Sequence, residues 1–150
     1  SSDVCSSDLQ VIDTHREYSS NPAELHYGRG RPRPLFLGGA PKVMLAHLAP
    51  HALHKLFDQY TADITQAGLP NEWAEFRKYY SAIRKTGYYY SNGELETHLA
   101  ALAAVLQKAD GSVLGALSLV APVKRMAVID LPKMAELVMR AARDISARVS

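Results

Sequence analysis

The sequence has little cysteine, no long apolar run and no large excess of charge of either sign. Cys5 is its only cysteine, which excludes an internal disulfide, a two-cysteine redox pair and a cysteine-rich zinc cluster. No uncharged apolar stretch approaches the roughly 20 residues of a membrane-spanning helix, and mean hydropathy is -0.13. Seventeen basic residues against fifteen acidic ones leave a net charge of +2, too little to indicate nucleic acid or an anionic membrane as a partner. The composition favours a reducing, cytoplasmic setting.

The length and apolar content are those of one ordinary folded domain. The chain has 150 residues, of which 47% are hydrophobic and 21% charged, so it can bury a core without disulfides or a metal. Residues 1–9 differ from the rest, because Ser-Ser-Asp occurs twice there and no signal-peptide pattern is present. We interpret residues 1–9 as a non-native or misjoined leader and residues 10–150 as one domain from a longer protein. Cys5 lies in the leader and is assigned no chemistry.

The first part of the domain combines strand and helix patterns. Gln10–Tyr18 and Leu25–Tyr27 are predicted to be extended. Glycines and prolines alternate with arginines in Gly28–Pro34, which predicts a loop without regular structure. Pro41 suits the first turn of a helix, because its missing N–H needs no partner there, and Lys42–Leu48 is predicted to follow as helix.

Further helices are predicted before the strongest strands. Pro50 starts a short helix, and Thr61–Leu69 is interpreted as a connection. Asn71 is a suitable N-cap for a helix over Glu72–Thr86, and Gly87 is predicted to end it. The apolar stripe of that helix is Trp73, Phe76, Tyr80 and Ile83.

A hairpin and a closing helix dominate the second half. Tyr88–Tyr90 has strand propensity, and Thr97–Gln107 is predicted to pair through an Asp110-Gly111 turn with Val113–Val120. Asp130 is the expected cap of the last helix, which keeps a helical apolar period to the end of the chain. Antiparallel strands joined this way predict an α+β domain with a mainly antiparallel sheet flanked by helices.

Several short segments follow one another in an order and spacing typical of one family. They are Gly30-x-x-Arg33-Pro34-Leu35, Gly39–Leu48, Ile83–Tyr88, Gly93-Glu94-Leu95, Leu102-Ala103-Ala104, Asp110–Ser118, Ala121-Pro122 with Arg125, and Ala142–Ser146. Together they resemble the effector-binding domain of IclR-type bacterial transcriptional regulators, from about Gln10 to Ser150.

The resemblance implies a GAF-like fold, a pocket for a small effector and self-association as a dimer or tetramer. It also implies a winged helix-turn-helix domain upstream that this chain does not contain. The chain is then expected to sense a small organic acid and to contact DNA only through the missing domain. No cofactor, membrane partner or catalytic activity is expected. The effector, the target promoter and the choice between activation and repression stay open.

The segment Gly38-Gly39-Ala40 before a helix is the first candidate for the pocket. A helix N-terminus offers unpaired N–H groups and a partial positive charge, so it can hold a carboxylate. Pro41 has no backbone N–H, so donors for the effector would come from the backbone of Gly39, Ala40, Lys42 and Val43. The alternative is a tight loop-to-helix turn that needs glycine only for its dihedral angles.

Polar residues near the tyrosine strand are the second candidate. Ser91, Asn92 and Glu94 could hydrogen-bond the polar end of an effector, or could form an ordinary Asn-Gly turn with Glu94 in solvent. Ser118 lies on an otherwise apolar strand, and a buried hydroxyl needs a partner, either ligand or backbone.

Apolar residues would complete the same pocket. The resemblance favours the ligand as the partner of Ser118, because matching positions of the family line the pocket, and Ala101 and Val120 would then be its apolar walls. Leu35 and Phe36 could close it as a lid or could belong to the core.

The histidines and arginines favour less specific interpretations. His47, His51 and His54 have metal-ligand spacing, but Pro50 interrupts the helix that would align them, so surface positions are preferred and no metal is expected. The basic segment Arg29–Arg33 is interpreted as a solvated loop or a subunit contact, because no aromatic residues interleave it.

Two functions compete with effector sensing. One is a GAF-like structural dimerisation module without a ligand. The other is a small GAF-like enzyme, which lacks support because no Gly-x-Ser-x-Gly nucleophile elbow is present.

Overall fold

The computed structural model describes residues 11–12 and 32–149, and the side chains of residues 34–149. The predicted leader, most of the predicted N-terminal strands and the arginines before Pro32 lie outside the described residues. Along the chain the elements are β1 (Val11–Ile12), β2 (Pro32–Arg33), α1 (Gly39–Ala46), α2 (Pro50–Gln59), α3 (Thr61–Gln66), α4 (Trp73–Thr86), β3 (Tyr89–Asn92), β4 (Leu99–Gln107), β5 (Val113–Pro122), α5 (Val123–Met126) and α6 (Leu131–Val149).

A three-stranded antiparallel sheet is the centre of the described fold. Its order is β3-β4-β5, and β4 pairs with both neighbours. The predicted hairpin is confirmed: Gly111 turns with φ 88°, and the Asp110 carboxylate accepts hydrogen bonds from the backbone N–H and the hydroxyl of Ser112 at 2.9 and 2.7 Å. The α+β class with an antiparallel sheet and flanking helices is therefore confirmed.

Helices cover the sheet on both sides, which explains why β4 is apolar without alternation. Residues directly opposite each other on paired strands point to the same side. Ala101 and Ala103 point to α1, and we call this side the α1 face. Leu102 and Ala104 point to α6, on the side we call the α6 face.

Each face has its own core. Aromatic rings fill the α1 side, where Phe76 packs against Phe57 and Tyr80 with ring centroids 5.0 Å apart in each pair. On the α6 side, Ala135 and Ala142 of the helix share a core with the alanines of β4 and with larger residues such as Leu102. Small side chains let a helix approach a sheet closely, and the buried residues of α6 are Ala135, Val138 and Ala142.

The predicted ends of two elements are confirmed by their capping groups. Asp130 precedes α6, and its carboxylate accepts a hydrogen bond from the backbone N–H of Lys133 at 3.2 Å. Gly87 ends α4 in the left-handed conformation, with φ 87°. A Cβ at Gly87 would also lie 3.1 Å from Sδ of Met139, so both the backbone angle and the packing favour glycine there.

The first helix holds Pro41 in its first turn, as predicted, and begins at Gly39, where Gly38 turns the chain with φ 92° and the next residues are small enough to pack on the sheet. The predicted cap of the fourth helix is wrong. The fourth helix begins at Trp73, and Glu72 takes the N-cap position without a side-chain hydrogen bond. Asn71 is therefore not the cap.

Short elements account for the other differences. The predicted loop Gly28–Pro34 contains β2, which pairs with β1 through Ile12 and Pro32. Two residues form a ladder even with proline, because proline is tolerated on edge strands. The predicted connection Thr61–Leu69 contains α3, and the unpredicted α5 follows β5 directly. Within the described residues, no helix is long and apolar enough to cross a membrane.

Leu102 and Leu119 provide a matched test of the α6 face. The two residues are opposite each other on β4 and β5, but Leu102 is fully buried and Leu119 is 39% exposed. We expect Leu102→Ala to lower the free energy of unfolding by about 2–5 kcal/mol and Leu119→Ala to lower it by less than about 1 kcal/mol. Urea unfolding measures both, and equal losses would contradict this description of the core.

His47 makes stability depend on pH. Burial lowers the pKa of its imidazole, a hydrogen bond to the Val43 carbonyl at 2.8 Å opposes this, and Arg84 lowers the pKa further. The folded state therefore binds fewer protons than the unfolded state, whose histidine pKa is about 6.5. We expect full stability above about pH 6.5 and a loss as pH falls through the folded-state pKa.

Urea unfolding at a series of pH values tests this expectation with a matched control. His47→Gln should flatten the loss below about pH 6.5, whereas His51→Gln should not, since His51 is exposed. Parallel curves for wild type and His47→Gln would contradict it.

Candidate functional site

Two rows of residues cross the α1 face and bring most of the predicted site together. Ser91 of β3, Ala101 of β4 and Val120 of β5 are opposite one another in one row. The next row is Tyr89, Ala103 and Ser118. Ser91 is buried, Ser118 is half-buried, and Val120 is exposed at the edge of the described sheet.

The glycine at the start of α1 allows the helix to begin directly on these rows. A Cβ at Gly39 would lie 3.1 Å from Cβ of Ala103 and 3.4 Å from Cβ of Ala101. Gly39 and Ala40 are both buried. The missing side chain of Gly39 is thus explained by close packing of helix on sheet, and a larger residue would push on β4 before it met a ligand.

Lys42 carries the buried charge of this face, and the sequence analysis considered only its backbone N–H, not its side chain. It lies in the first turns of α1 and is only 3% exposed. Its Nζ donates hydrogen bonds to the hydroxyls of Tyr79, at 2.7 Å, and Tyr89, at 3.3 Å. The ammonium also lies 5.1 and 4.8 Å from the centroids of the same two rings, within the range of a cation–π interaction.

Glu94 supplies the negative charge. Its Oε1 lies 3.1 Å from Nζ of Lys42 and accepts a hydrogen bond from the backbone N–H of Gly38 at 3.2 Å. Its Oε2 accepts a hydrogen bond from the Tyr89 hydroxyl. We call Lys42, Tyr79, Tyr89 and Glu94 the Lys42 cluster. The alternative that leaves Glu94 in solvent is wrong, since its side chain is 22% exposed and bound on both oxygens.

Tyr89 and Tyr80 stay neutral at physiological pH. Burial raises the pKa of Tyr89, and its hydrogen bonds with Glu94 and Tyr79 raise it further. Burial also raises the pKa of Tyr80 well above its usual range, with smaller contributions from Tyr79 and Glu94. The Tyr80 hydroxyl is buried and, among the described residues, has no hydrogen-bond partner.

Other predicted site residues lie elsewhere. Asn92 is exposed and opposite Ala100, on the α6 face, so it does not share a surface with Ser91. Phe36 is a core residue, with Tyr60 and Phe76 packed edge-on against its ring. Leu35 packs against the same core. For both, the structure supports the core alternative over the lid.

The three central histidines do not form one face. His47 follows α1, whereas His51 and His54 belong to α2, which begins at Pro50 as predicted. His54 packs on Trp73, with ring centroids 4.2 Å apart. Among residues 34–149 no three histidine, cysteine or acidic side chains converge on a possible metal position.

The sequence does contain a signal for the Lys42 cluster. Lys42 is the only charged residue in the helical segment Gly39–Ala46, and a lone cation in an otherwise apolar buried helix requires a partner. The partners could not be identified from spacing, because Tyr79 and Glu94 are 37 and 52 positions away along the chain.

Comparisons with known proteins agree on one family. The family model described as "Bacterial transcriptional regulator IclR C-terminal" matches residues 11–147. A comparison with the curated proteins found no match. Among solved structures, the C-terminal domain of a transcriptional regulator from Vibrio cholerae has a TM-score of 0.70 and 24% identity, over 89% of this chain and 76% of that one.

Two longer structures are similar as well. One is described as an IclR-family transcriptional regulator from Rhodococcus sp., with a TM-score of 0.74 and 28% identity, over 93% of this chain and 52% of that one. The other is HmgR from Pseudomonas aeruginosa, with a TM-score of 0.69 and 23% identity, over 88% of this chain and 51% of that one. The chain spans about half the length of these two proteins.

The charged side chain of Lys42 should contribute measurably to the free energy of unfolding. We expect Lys42→Met to lower the free energy of unfolding by about 3 kcal/mol, because Glu94 loses its counter-ion. Lys78→Met is the matched control, since Lys78 is exposed beside Tyr79 in α4, and should change stability by less than about 0.5 kcal/mol.

The double variant Lys42→Met/Glu94→Gln tests the coupling within the pair. It should be less destabilised than the sum of the two single changes, because neither charge is then left unpaired. Additive losses, or equal losses for Lys42→Met and Lys78→Met, would show that the pair does not contribute.

Proposed function

The chain belongs to the family of bacterial transcriptional regulators IclR, C-terminal, and we propose that it senses a small organic acid on the α1 face of its sheet. The resemblance found in the sequence is thereby confirmed, and the family is one of regulators, not of enzymes. In our proposal the chain carries no catalytic activity. Lys42 with the two tyrosines of its cluster, and the neighbouring Ser91 and Ser118, recognise the acid.

A buried cation beside a helix N-terminus is the observation that supports an acid as effector. Lys42 is held by two tyrosine hydroxyls and one carboxylate at the start of α1. A buried ammonium and the partial positive charge of a helix N-terminus both favour a negative group. A neutral ligand would gain from neither, so we assign the acid class to the effector.

The regulator's other activities belong to parts outside this chain or to a second copy of it. We propose that a winged helix-turn-helix domain upstream contacts DNA, and that the chain associates with itself as a dimer or tetramer. The lengths of the regulators that it matches support a further domain, since the chain covers about half of them. Such a regulator acts in the cytoplasm, where the DNA is.

Thermal unfolding of the chain against a panel of small organic acids tests the proposal. An acid at a hundred times its dissociation constant should stabilise the fold by about 2.7 kcal/mol. The corresponding amides and esters are the matched ligands and should give no shift. No shift with any acid, while the protein still self-associates in sedimentation, would favour a structural dimerisation module instead.

A further inference from the structure

The anion position at the start of α1 is already filled by the protein. The backbone N–H of Gly38 and the ammonium of Lys42 both lie within hydrogen-bond distance of one oxygen of Glu94, at 3.2 and 3.1 Å. These are the donors that an incoming carboxylate would use, because a helix N-terminus and a buried cation both attract anions. Glu94 is therefore an occupant of the place that the proposed acid requires.

Of the two charges, only Glu94 is placed to leave. It lies in residues 93–98, the connection between β3 and β4, directly after Gly93 with its φ of 71°. Its side chain is 22% exposed, whereas Lys42 is 3% exposed and fixed on a helix. A carboxylate that turns outward is hydrated, but a buried ammonium left behind needs another anion.

Charge balance favours replacement of Glu94 by the acid over binding of the acid beside Glu94. A second carboxylate beside Lys42, with Glu94 still in place, would put two negative charges against one cation in a buried setting. Replacement of Glu94 by the acid keeps one anion opposite one cation. Exchange also provides the space, since the departing side chain vacates the position.

The buried hydroxyl of Tyr80, next to Tyr79 of the Lys42 cluster, has no hydrogen-bond partner among the described residues. Its ring packs against Tyr79, with centroids 5.1 Å apart, and Tyr79 is bonded to Lys42. Tyr80 is 1% exposed. Buried hydroxyls are rarely left unpaired, so the region has a donor that a ligand oxygen can satisfy.

We propose that Glu94 is a tethered competitor of the effector: a small carboxylic acid displaces it from Lys42 and Gly38, and Glu94 turns out to solvent. This inference rests on the proposed function, because it states how the same site takes its acid. Glu94 then lowers the affinity for the acid without contacting it in the bound state, whereas Lys42 contacts the acid directly.

Chemical rescue of Glu94→Ala by acetate tests the inference without knowledge of the effector. The variant removes the tethered carboxylate and leaves its position open, so it should unfold at a lower temperature than wild type. Sodium acetate should then raise the unfolding midpoint. At about ten times its dissociation constant, acetate should increase the ratio of folded to unfolded protein about tenfold.

Four controls separate this site from general salt effects. Sodium chloride at equal ionic strength and acetamide should not rescue Glu94→Ala. Acetate should not rescue Lys42→Met/Glu94→Ala, which lacks the cation. Glu136→Ala, a change at an exposed glutamate of α6, should show no response to acetate. If Glu94→Ala does not fold alone, circular dichroism after refolding in acetate or acetamide gives the same comparison.

Glu94→Gln provides the second arm, with any acid that stabilises wild type. Loss of the competing charge should tighten binding of that acid at least tenfold, as expected when the open state is about a tenth populated or less. Absence of acetate rescue would overturn the inference, as would unchanged or weaker binding by Glu94→Gln. If wild type still binds an acid, that result leaves the proposed function standing. If acetate rescues Glu94→Ala but no acid of the panel binds wild type, the exchange site is supported and the proposal that the effector is a small organic acid is contradicted.

Discussion

A lysine side chain that is almost completely buried requires a negative charge beside it. Lys42 occupies such a position because α1 begins on the sheet and presents its first turns to β3 and β4. Burial of an unpaired ammonium costs more than any single hydrogen bond returns. The Glu94 carboxylate and two tyrosine hydroxyls meet that requirement, and they fix where the end of β3 and the connection after it lie.

The burial of the Lys42 side chain depends in turn on neighbouring residues that have almost no side chain. Gly39 meets Ala101 and Ala103 at distances that leave no room for a larger residue. Small residues allow the same close approach on the α6 face, where alanines of the helix meet alanines of β4. Because β4 is covered on both sides, its small residues set the distance of two helices from one sheet. The apolar residues of β4 thus determine how close the helices lie to the sheet, in addition to forming part of the core.

Local signals in the sequence were sufficient for the fold but not for the site. The Asp-Gly hairpin, the Asp130 cap and the glycine at position 87 act through neighbours a few residues away, so their patterns predicted real turns and ends. The contact of that helix start with β4, about 60 residues further on, is not encoded by any such pattern. The Lys42 cluster depends entirely on such distant contacts, which no local pattern encodes.

A glycine-rich helix start does not by itself indicate a ligand site. An anion position at a helix N-terminus indicates that negative charge is favoured there, but a protein side chain satisfies that preference as well as a ligand does. Where the charge is tethered, ligand binding and conformational change become one event, since each carboxylate excludes the other. Residues 93–98 are also joined to α5, because the His98 carbonyl accepts a hydrogen bond from the Val123 N–H at 2.9 Å. The connection that holds Glu94 is thus bonded to an element whose Val123 and Met126 pack on the α6 face, away from Lys42.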